Sequence, residues 1–579
     1  MYYRLKLIAL MSVTAILSLS LPVYGETSSR LSTQNTSLLA QNSIADADKL
    51  FEEGVKLHRR GQYFKALEIY QRVLKIRRQQ GDKAGIAQTL NNIGEVYLSL
   101  IKYDKALKVL QQALAIRREI KDRKGEGETL DNLGSVYSRK EQYDKALKTL
   151  QQALVIRKEV KDRAGEGKTL SKIGYVYIYG FQKYSQALEN LQQALAIHKE
   201  VGDKYQTGIT LLRIGLFYNE TKDYTRALEW YEKALVVNRE VGNRAWEGKS
   251  LSLIGMTYST LKKYDRAIEF YQQALPVLRE IKNRELEANI LELMAVNYAS
   301  LNKRDRSIEL YQEALAIQRE LKVPSAQLQT LNLLLLQYDV KAINLANKGL
   351  SAQAKVEYNR IIELAEETLT LARKLKNKNV EATALTVLGK AYIFLKDFEK
   401  ATQLLDRAVK IAREINDLET ESNALSTLAS IYIFQGKNRE NIEIRIRQVE
   451  IAREQENKFS EVISLISLAS NYHQFGEYQK AINTSQEVLA ILPKIEINKL
   501  PLALHGEFLK FEPRAPQILS FSYMALGEYD KAIEFAQQAL TKAQSIKEPD
   551  LEVNMLLHLA FLYSNSLNNL PKAIEAAQQ

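Results

Sequence analysis

Apolar residues recur along this chain at helical spacing. Leu90, Ile93, Val96 and Tyr97 share one helical face, and a second stripe follows through Ala106, Leu107, Leu110, Ala113, Leu114 and Ile116. The two stripes predict a pair of amphipathic helices. The pair then repeats, with TLNNIGEVY from Thr89, TLDNLGSVY from Thr129, TLSKIGYVY from Thr169, TLLRIGLFY from Thr210 and SLSLIGMTY from Ser250. Their glycines, Gly94, Gly134, Gly174, Gly215 and Gly255, are separated by 40, 40, 41 and 40 residues. The glycine gives way to Ala295 in the next block, and Gly389, Ala429 and Ala469 continue the rhythm further on.

Each block closes with Gly or Lys followed by Asp or Asn: Gly81-Asp82, Lys121-Asp122, Lys161-Asp162, Gly202-Asp203, Gly242-Asn243 and Lys282-Asn283. The first residue suits a left-handed helix end and the second caps the following helix. Gly94 and its counterparts, with Ala106 and Ala113 on the second helix, predict close helix contacts. Tyr97, Tyr137, Tyr177, Tyr218, Tyr258 and Tyr298 are expected to fill space between units, and Tyr103, Tyr143, Tyr184, Tyr224 and Tyr264 mark the turns. These two sets explain why the chain carries 31 Tyr against 15 Phe.

The pattern divides the chain. Residues 1–25 read as a signal peptide, 26–43 as a flexible Ser/Thr/Asn/Gln-rich linker, and 44–323 as a regular helical array. Residues 324–377 form an irregular unit with long apolar helices, 378–493 a second regular stretch, and 494–516 a proline-containing insertion. Residues 517–579 hold terminal units, the last of them incomplete, with no polar capping helix. The signal rests on Arg4 and Lys6 before an apolar run from Leu7 to Leu21, then Pro22 and a Val23-Tyr24-Gly25 cleavage site. The run is short of the roughly 20 residues that a retained membrane anchor needs. Cleavage after Gly25 would place the mature chain in the periplasm or outside the cell.

Composition narrows the function. With no cysteine there is no disulfide, thiolate metal site or cysteine nucleophile. The net charge of +12 does not imply nucleic acid. Basic residues cluster at helix ends, as in Arg117, Arg118, Lys121 and Arg123 or Arg157, Lys158, Lys161 and Arg163, interleaved with acids, and read as solvated helix faces complementing the helix dipole. The five histidines, His58, His198, His473, His505 and His558, are scattered, and none has a second ligand at helical spacing. There is no Gly-rich phosphate loop or nucleophile elbow. No catalytic residue, metal or cofactor is expected.

The Leu-Gly-Tyr pattern of the first helix and the Ala-apolar-Ala pattern of the second resemble the tetratricopeptide family. The longer period of about 40 is similar to kinesin-light-chain-type and cyanobacterial exported arrays. The resemblance implies an all-α, right-handed superhelical solenoid of stacked antiparallel helix pairs. It also implies a concave groove lined by first helices, at positions three before, one after, and four to five after the glycine. Those positions supply the candidate peptide-groove residues Asn91, Glu95, Asp131, Ser135, Ser171, Tyr175, Asn219, Ser252 and Met256, with Ser138 and Arg139 beside them. Asn91, Tyr175 and Asn219 are the best placed to hold a peptide backbone. The Lys-Asn-Asn-Lys-Arg set with which some members of the family grip a terminal carboxylate is missing from the matching positions. The expected function is a non-enzymatic scaffold for a peptide or protein partner, with no nucleic acid and no membrane span in the mature chain. Self-association through uncapped ends is a further option. An alternative that the resemblance implies is the sensing arm of an exported array joined to a caspase-like peptidase, shortened here.

Overall fold

The computed structural model describes residues 44–499, 502–565 and 570–579; the expected signal peptide and linker lie outside them. The described residues contain helices and no strands. The chain divides into two compact units, the first ending at Gln337 and the second beginning at Tyr338.

The first unit is a run of helix pairs. They are α1 (Ile44–Arg59) with α2 (Tyr63–Gln79), α3 (Lys83–Ser99) with α4 (Tyr103–Glu119), α5 (Arg123–Arg139) with α6 (Tyr143–Glu159), and α7 (Arg163–Val176) with α8 (Tyr184–Glu200). Then come α9 (Lys204–Glu220) with α10 (Tyr224–Glu240), α11 (Arg244–Thr260) with α12 (Tyr264–Glu280), and α13 (Arg284–Ser300) with α14 (Arg304–Glu320). Each helix packs on the next, and each first helix from α3 onward also touches the first helix of the following pair. First helices therefore form one continuous wall.

The turn chemistry accounts for this regularity. Asp82, Asp122 and Asp162 accept hydrogen bonds from the backbone N–H of Gly85, Gly125 and Gly165 at 2.9, 2.9 and 3.1 Å, starting each first helix. The residue before each cap is left-handed, with φ of +69° at Gly81, +58° at Lys121 and +54° at Lys161. Within the pairs the glycine column has a packing cause: a Cβ on Gly94 would sit 2.5 Å from Leu110, and one on Gly134 2.6 Å from Leu150. The 41-residue interval is absorbed as a π-helical turn, Tyr177–Phe181, which takes up the one additional residue between α7 and α8.

One expectation gains an addition and another needs correction. The largest fully buried tyrosines are Tyr70, Tyr231, Tyr271 and Tyr311 on second helices, where other pairs have leucine. Tyr97 and Tyr137 are half-buried and join the core of one pair to that of the next. Arg117 and Arg157 are not solvated: with Arg77 they are 3 to 5% exposed. They are the last-turn residues of second helices that turn inward onto the next first helix. Arg77 donates to the Gly85 carbonyl and to Thr89 Oγ1, both at 2.9 Å. Arg157 pairs with Asp131 at 3.2 Å and with Asp162.

The second unit continues from within α15 (Pro324–Asn347), which with α16 (Ser351–Lys374) forms a long pair of 24 residues each. Regular pairs follow: α17 (Lys378–Phe394) with α18 (Phe398–Glu414), α19 (Leu418–Phe434) with α20 (Asn438–Glu454), and α21 (Lys458–Gln474) with α22 (Tyr478–Ile491). The proline-rich stretch forms two short 3-10 turns, Leu492–Lys494 and Ile497–Lys499, and then α23 (Leu502–Phe511). The next pair starts at Arg514, with α24 (Arg514–Ala525) and α25 (Tyr529–Ser545); Pro516 sits in its first turn, where a missing N–H is tolerated. Last come α26 (Pro549–Asn565) and α27 (Leu570–Gln578). No helix of the described residues is long and apolar enough to cross a membrane.

Candidate peptide-binding groove

The wall of first helices in the first unit curves around a cavity of about 590 Å³ lined by residues from α1 to α13. Helices far apart in the chain meet across it: the guanidinium of Arg59, at the end of α1, lies 5.7 Å from the ring centroid of Tyr205 at the start of α9. The curvature brings one helical face of each first helix inward. That face carries the positions two and six before the glycine, together with one and five after it. It presents Asn92, Glu95 and Ser99 from α3, and Glu128, Asn132, Ser135 and Arg139 from α5. Lys168, Lys172 and Tyr175 come from α7, Arg213 from α9, and Lys249 from α11.

The electrostatics differ along this wall. Glu95 lies 3.3 Å from Lys168 and accepts a hydrogen bond from Asn132 at 2.9 Å. Burial alone would raise its pKa, but Lys168, His58 and Lys172 outweigh that and hold it down at about 2. The same pairing with Glu95 raises Lys168. Deeper along the wall cations predominate. Lys172 donates to the Asp131 carbonyl at 3.1 Å and to Asn132 Oδ1 at 3.3 Å, both formally neutral, and burial brings it down to about 7. Lys249 is brought to about 7 by burial and by Arg139 and Arg213. Burial, then Arg139, lowers Arg213 to about 10. The Arg139 and Arg213 guanidiniums lie 5.5 and 5.9 Å from the same Tyr175 ring centroid.

The candidate residues separate accordingly. Glu95, Ser135, Tyr175 and Ser252 line the cavity, although Ser252 is only 2% exposed and donates to the Gly248 carbonyl at 2.7 Å. Asn91, Asp131 and Ser171, expected on the groove, are instead wholly buried, because the position three before the glycine faces the adjoining first helix. Asn91 accepts from Asn132 at 3.1 Å, Asp131 accepts from Thr169 at 2.7 Å, and Ser171 bonds Thr210 at 3.0 Å. Met256 is buried away from the cavity, and Asn219 is half-buried off it, 3.5 Å from Thr257 Oγ1. The sequence reading missed Lys168, Lys172, Arg213, Lys249 and Trp246. The signal available was a basic pair at i, i+4, Lys168 and Lys172, on one face of α7. Of the scattered histidines, His58 lines the cavity. His198 is fully buried, with neither ring nitrogen hydrogen-bonded. In the second unit His473 and His558 both lie near the Phe521 ring, bonding Ser522 at 3.0 Å and Ser520 at 2.9 Å.

Among solved structures, the chain is similar to a Rap protein complexed with competence and sporulation factor, at 16% identity over 62% of this chain and all of that one, with a TM-score of 0.39. It is also similar to the apo form of the quorum sensor NprR from B. thuringiensis, at 17% identity over 65% of this chain and 99% of that one, with a TM-score of 0.38. A Podospora anserina putative kinesin light chain with TPR-like repeats aligns at 21% identity over 37% of this chain and 96% of that one, with a TM-score of 0.30. No curated protein matches. A tetratricopeptide repeat model matches residues 39–119, 126–200, 206–280, 341–414 and 420–494, and a second matches 517–542. These matches cover more than half of the sequence and agree with the stacked helix pairs, and the chain belongs to the tetratricopeptide repeat family.

Proposed function

We propose that the first unit is a non-enzymatic scaffold that holds a peptide segment of a partner protein in the cavity walled by its first helices. The observation that carries this reading is the wall itself. Seven consecutive first helices turn hydrogen-bonding amides, aromatic rings and charges toward one space, whose size falls within the roughly 300 to 1,000 Å³ of typical ligand sites. The test is selection of linear peptides from a random display library on the immobilised chain. Enriched peptides are expected to bind the chain and to lose at least tenfold in affinity for a Glu95→Ala/Tyr175→Ala/Tyr205→Ala variant of unchanged helicity. Failure to enrich any peptide, or equal binding to the variant, would overturn the proposal. We also propose that the chain works after export. N-terminal sequencing of the protein from the periplasm or medium is expected to begin at Glu26, and recovery only from the cytoplasm with an intact N-terminus would refute it.

A further inference from the structure

We propose that the turn of the first helix pair is a latch that closes the first unit upon itself, and that a peptide passes into or out of the cavity only while the latch is released. The inference rests on the peptide-groove reading and deepens it. In a repeat array each pair ordinarily touches only its neighbours. Here the first pair also meets the fifth and sixth. Gly61, in the turn between α1 and α2, is buried, and a Cβ placed on it would lie 3.3 Å from Ile281 Cβ and 3.4 Å from Ile281 Cγ2, at the end of α12. The left-handed glycines that end other helices of this unit, Gly81, Gly202 and Gly242, have nothing within 4 Å of the same place. Beside this contact the Arg59 guanidinium lies 5.7 Å from the Tyr205 ring centroid at the start of α9.

Two columns of the repeat carry the mark of this seam. The turn within each pair has a left-handed residue, and in the other six pairs of the unit that residue bears a side chain: Ile101, Glu141, Gln182, Lys222, Lys262 and Asn302, with φ between +51° and +62°. The first pair has glycine there, at φ of +76°. The residue that follows each second helix is half-buried or exposed at Gln80, Ile120, Val160, Val201, Val241 and Leu321, but Ile281 is only 6% exposed. One column lacks its side chain, and the other buries its own, at the one place where the two meet. The seam is thin, setting glycine against isoleucine and an exposed arginine against a tyrosine ring, whereas the junctions between successive pairs bury whole columns of Leu, Ile and Val. Small rotations at several junctions add up along an array, so the seam parts while every junction stays packed. While closed, it shuts the side of the cavity between α1 and α9, both of which line that space.

The chain has no cysteine, so Gly61→Cys/Ile281→Cys introduces its only two thiols. The 3.3 Å between the two Cβ positions is a few tenths of an ångström inside the usual disulfide range of about 3.5 to 4.5 Å. Mild oxidation of the folded full chain is expected to form the bridge within one molecule. Stopped-flow fluorescence then follows a fluorescein-labelled peptide taken from the library selection. The oxidised variant is expected to take up and release the peptide at least tenfold more slowly than the same protein reduced with dithiothreitol, while the oxidant leaves the unmodified chain unaffected. Gly61→Ile acts in the opposite sense. Ile101 shows that such a turn accepts isoleucine at φ of +60°, and the added side chain wedges the turn away from Ile281. Both rates are expected to rise at least threefold with affinity changed less than twofold, because a gate alters passage in both directions alike. The control Gly81→Lys, at a left-handed position with open space around it, should change neither rate. Circular dichroism checks folding, and Gly61→Ile decides alone if the double-cysteine variant does not fold. A folded double variant in which no bridge forms, equal rates for its oxidised and reduced forms, or unchanged rates in folded Gly61→Ile would overturn the latch and leave the groove reading standing, since the peptide is still bound. Failure of the unmodified chain to bind any selected peptide would fall on the groove reading and take the latch with it.

Discussion

Arg157 shows how much one buried charge pair carries. Its guanidinium is 5% exposed and is held between Asp131, which has no exposed surface, and Asp162. Burial opposes its charge, but the two carboxylates outweigh that and raise its pKa. Replacing only the cation leaves Asp131 charged and unpaired in the interior, which typically costs about 3 to 5 kcal/mol, whereas removing both partners often costs far less. Arg157→Leu is therefore expected to lower stability to urea by about 3 kcal/mol, and Arg157→Leu/Asp131→Leu to recover much of it. The left-handed lysines behave differently. At Lys161, φ of +54° costs a side-chain-bearing residue about 1 to 2 kcal/mol, while glycine adds about 0.5 to 1 kcal/mol of backbone entropy loss. Lys161→Gly should stabilise by up to about 1 kcal/mol, readable as a higher urea midpoint.

At the scale of the helix pair, the decisive contact is the glycine of the first helix against the second helix. A Cβ at Gly134 would stand 2.6 Å from Leu150 and 3.4 Å from the backbone carbonyl of Ala146, so the two helices must move apart. Gly134→Val is expected to destabilise by about 1 to 3 kcal/mol, with faster hydrogen exchange concentrated in α5 and α6. This layer was largely legible in the sequence, because an apolar stripe, a glycine and an Asp cap are local signals with local causes. The groove was less legible. Asn91, Asp131 and Ser171 look like surface polar residues until the curvature of the wall decides which face of each first helix meets its neighbour and which meets the cavity. The same is true of Arg117 and Arg157. Their place in the last turn suggested solvation, and only the packing of successive pairs turned them inward.

Across the whole molecule, each compact unit contains one buried histidine held neutral, His198 in the first and His558 in the second. Burial lowers both to about 4 from the ordinary value of about 6.5. Between those values the unfolded chain binds a proton that the folded chain does not, so stability is full above pH 6.5 and falls as the pH drops toward 4. The ceiling is about 3 kcal/mol for each histidine. Denaturant midpoints measured from pH 7 to pH 4.5 are expected to fall, and His198→Asn, which installs the residue present at the next repeat as Asn238, should flatten the part of that fall belonging to the first unit. A fall unchanged by the substitution would assign the acid sensitivity to other groups.

The inward column to which Arg157 belongs reads Arg77, Arg117, Arg157, His198, Asn238, Leu278 and Gln318 along the first seven pairs. The residue three after each following cap changes with it. Gly85, Gly125 and Gly165 leave room for the arginines, and the same sequence position holds Gln206, Trp246 and Leu286 after the smaller column residues His198, Asn238 and Leu278. Pairs on either side of the change from arginine to smaller residues are thus not interchangeable. A pair docked onto the wrong neighbour would bury an arginine against a tryptophan side chain or leave a void beside a glycine. Near-identical repeats are prone to misassembly while they fold, and this column sets the first three junctions, which share one arginine–glycine fit, apart from those that follow, so part of the order of the array is enforced from within.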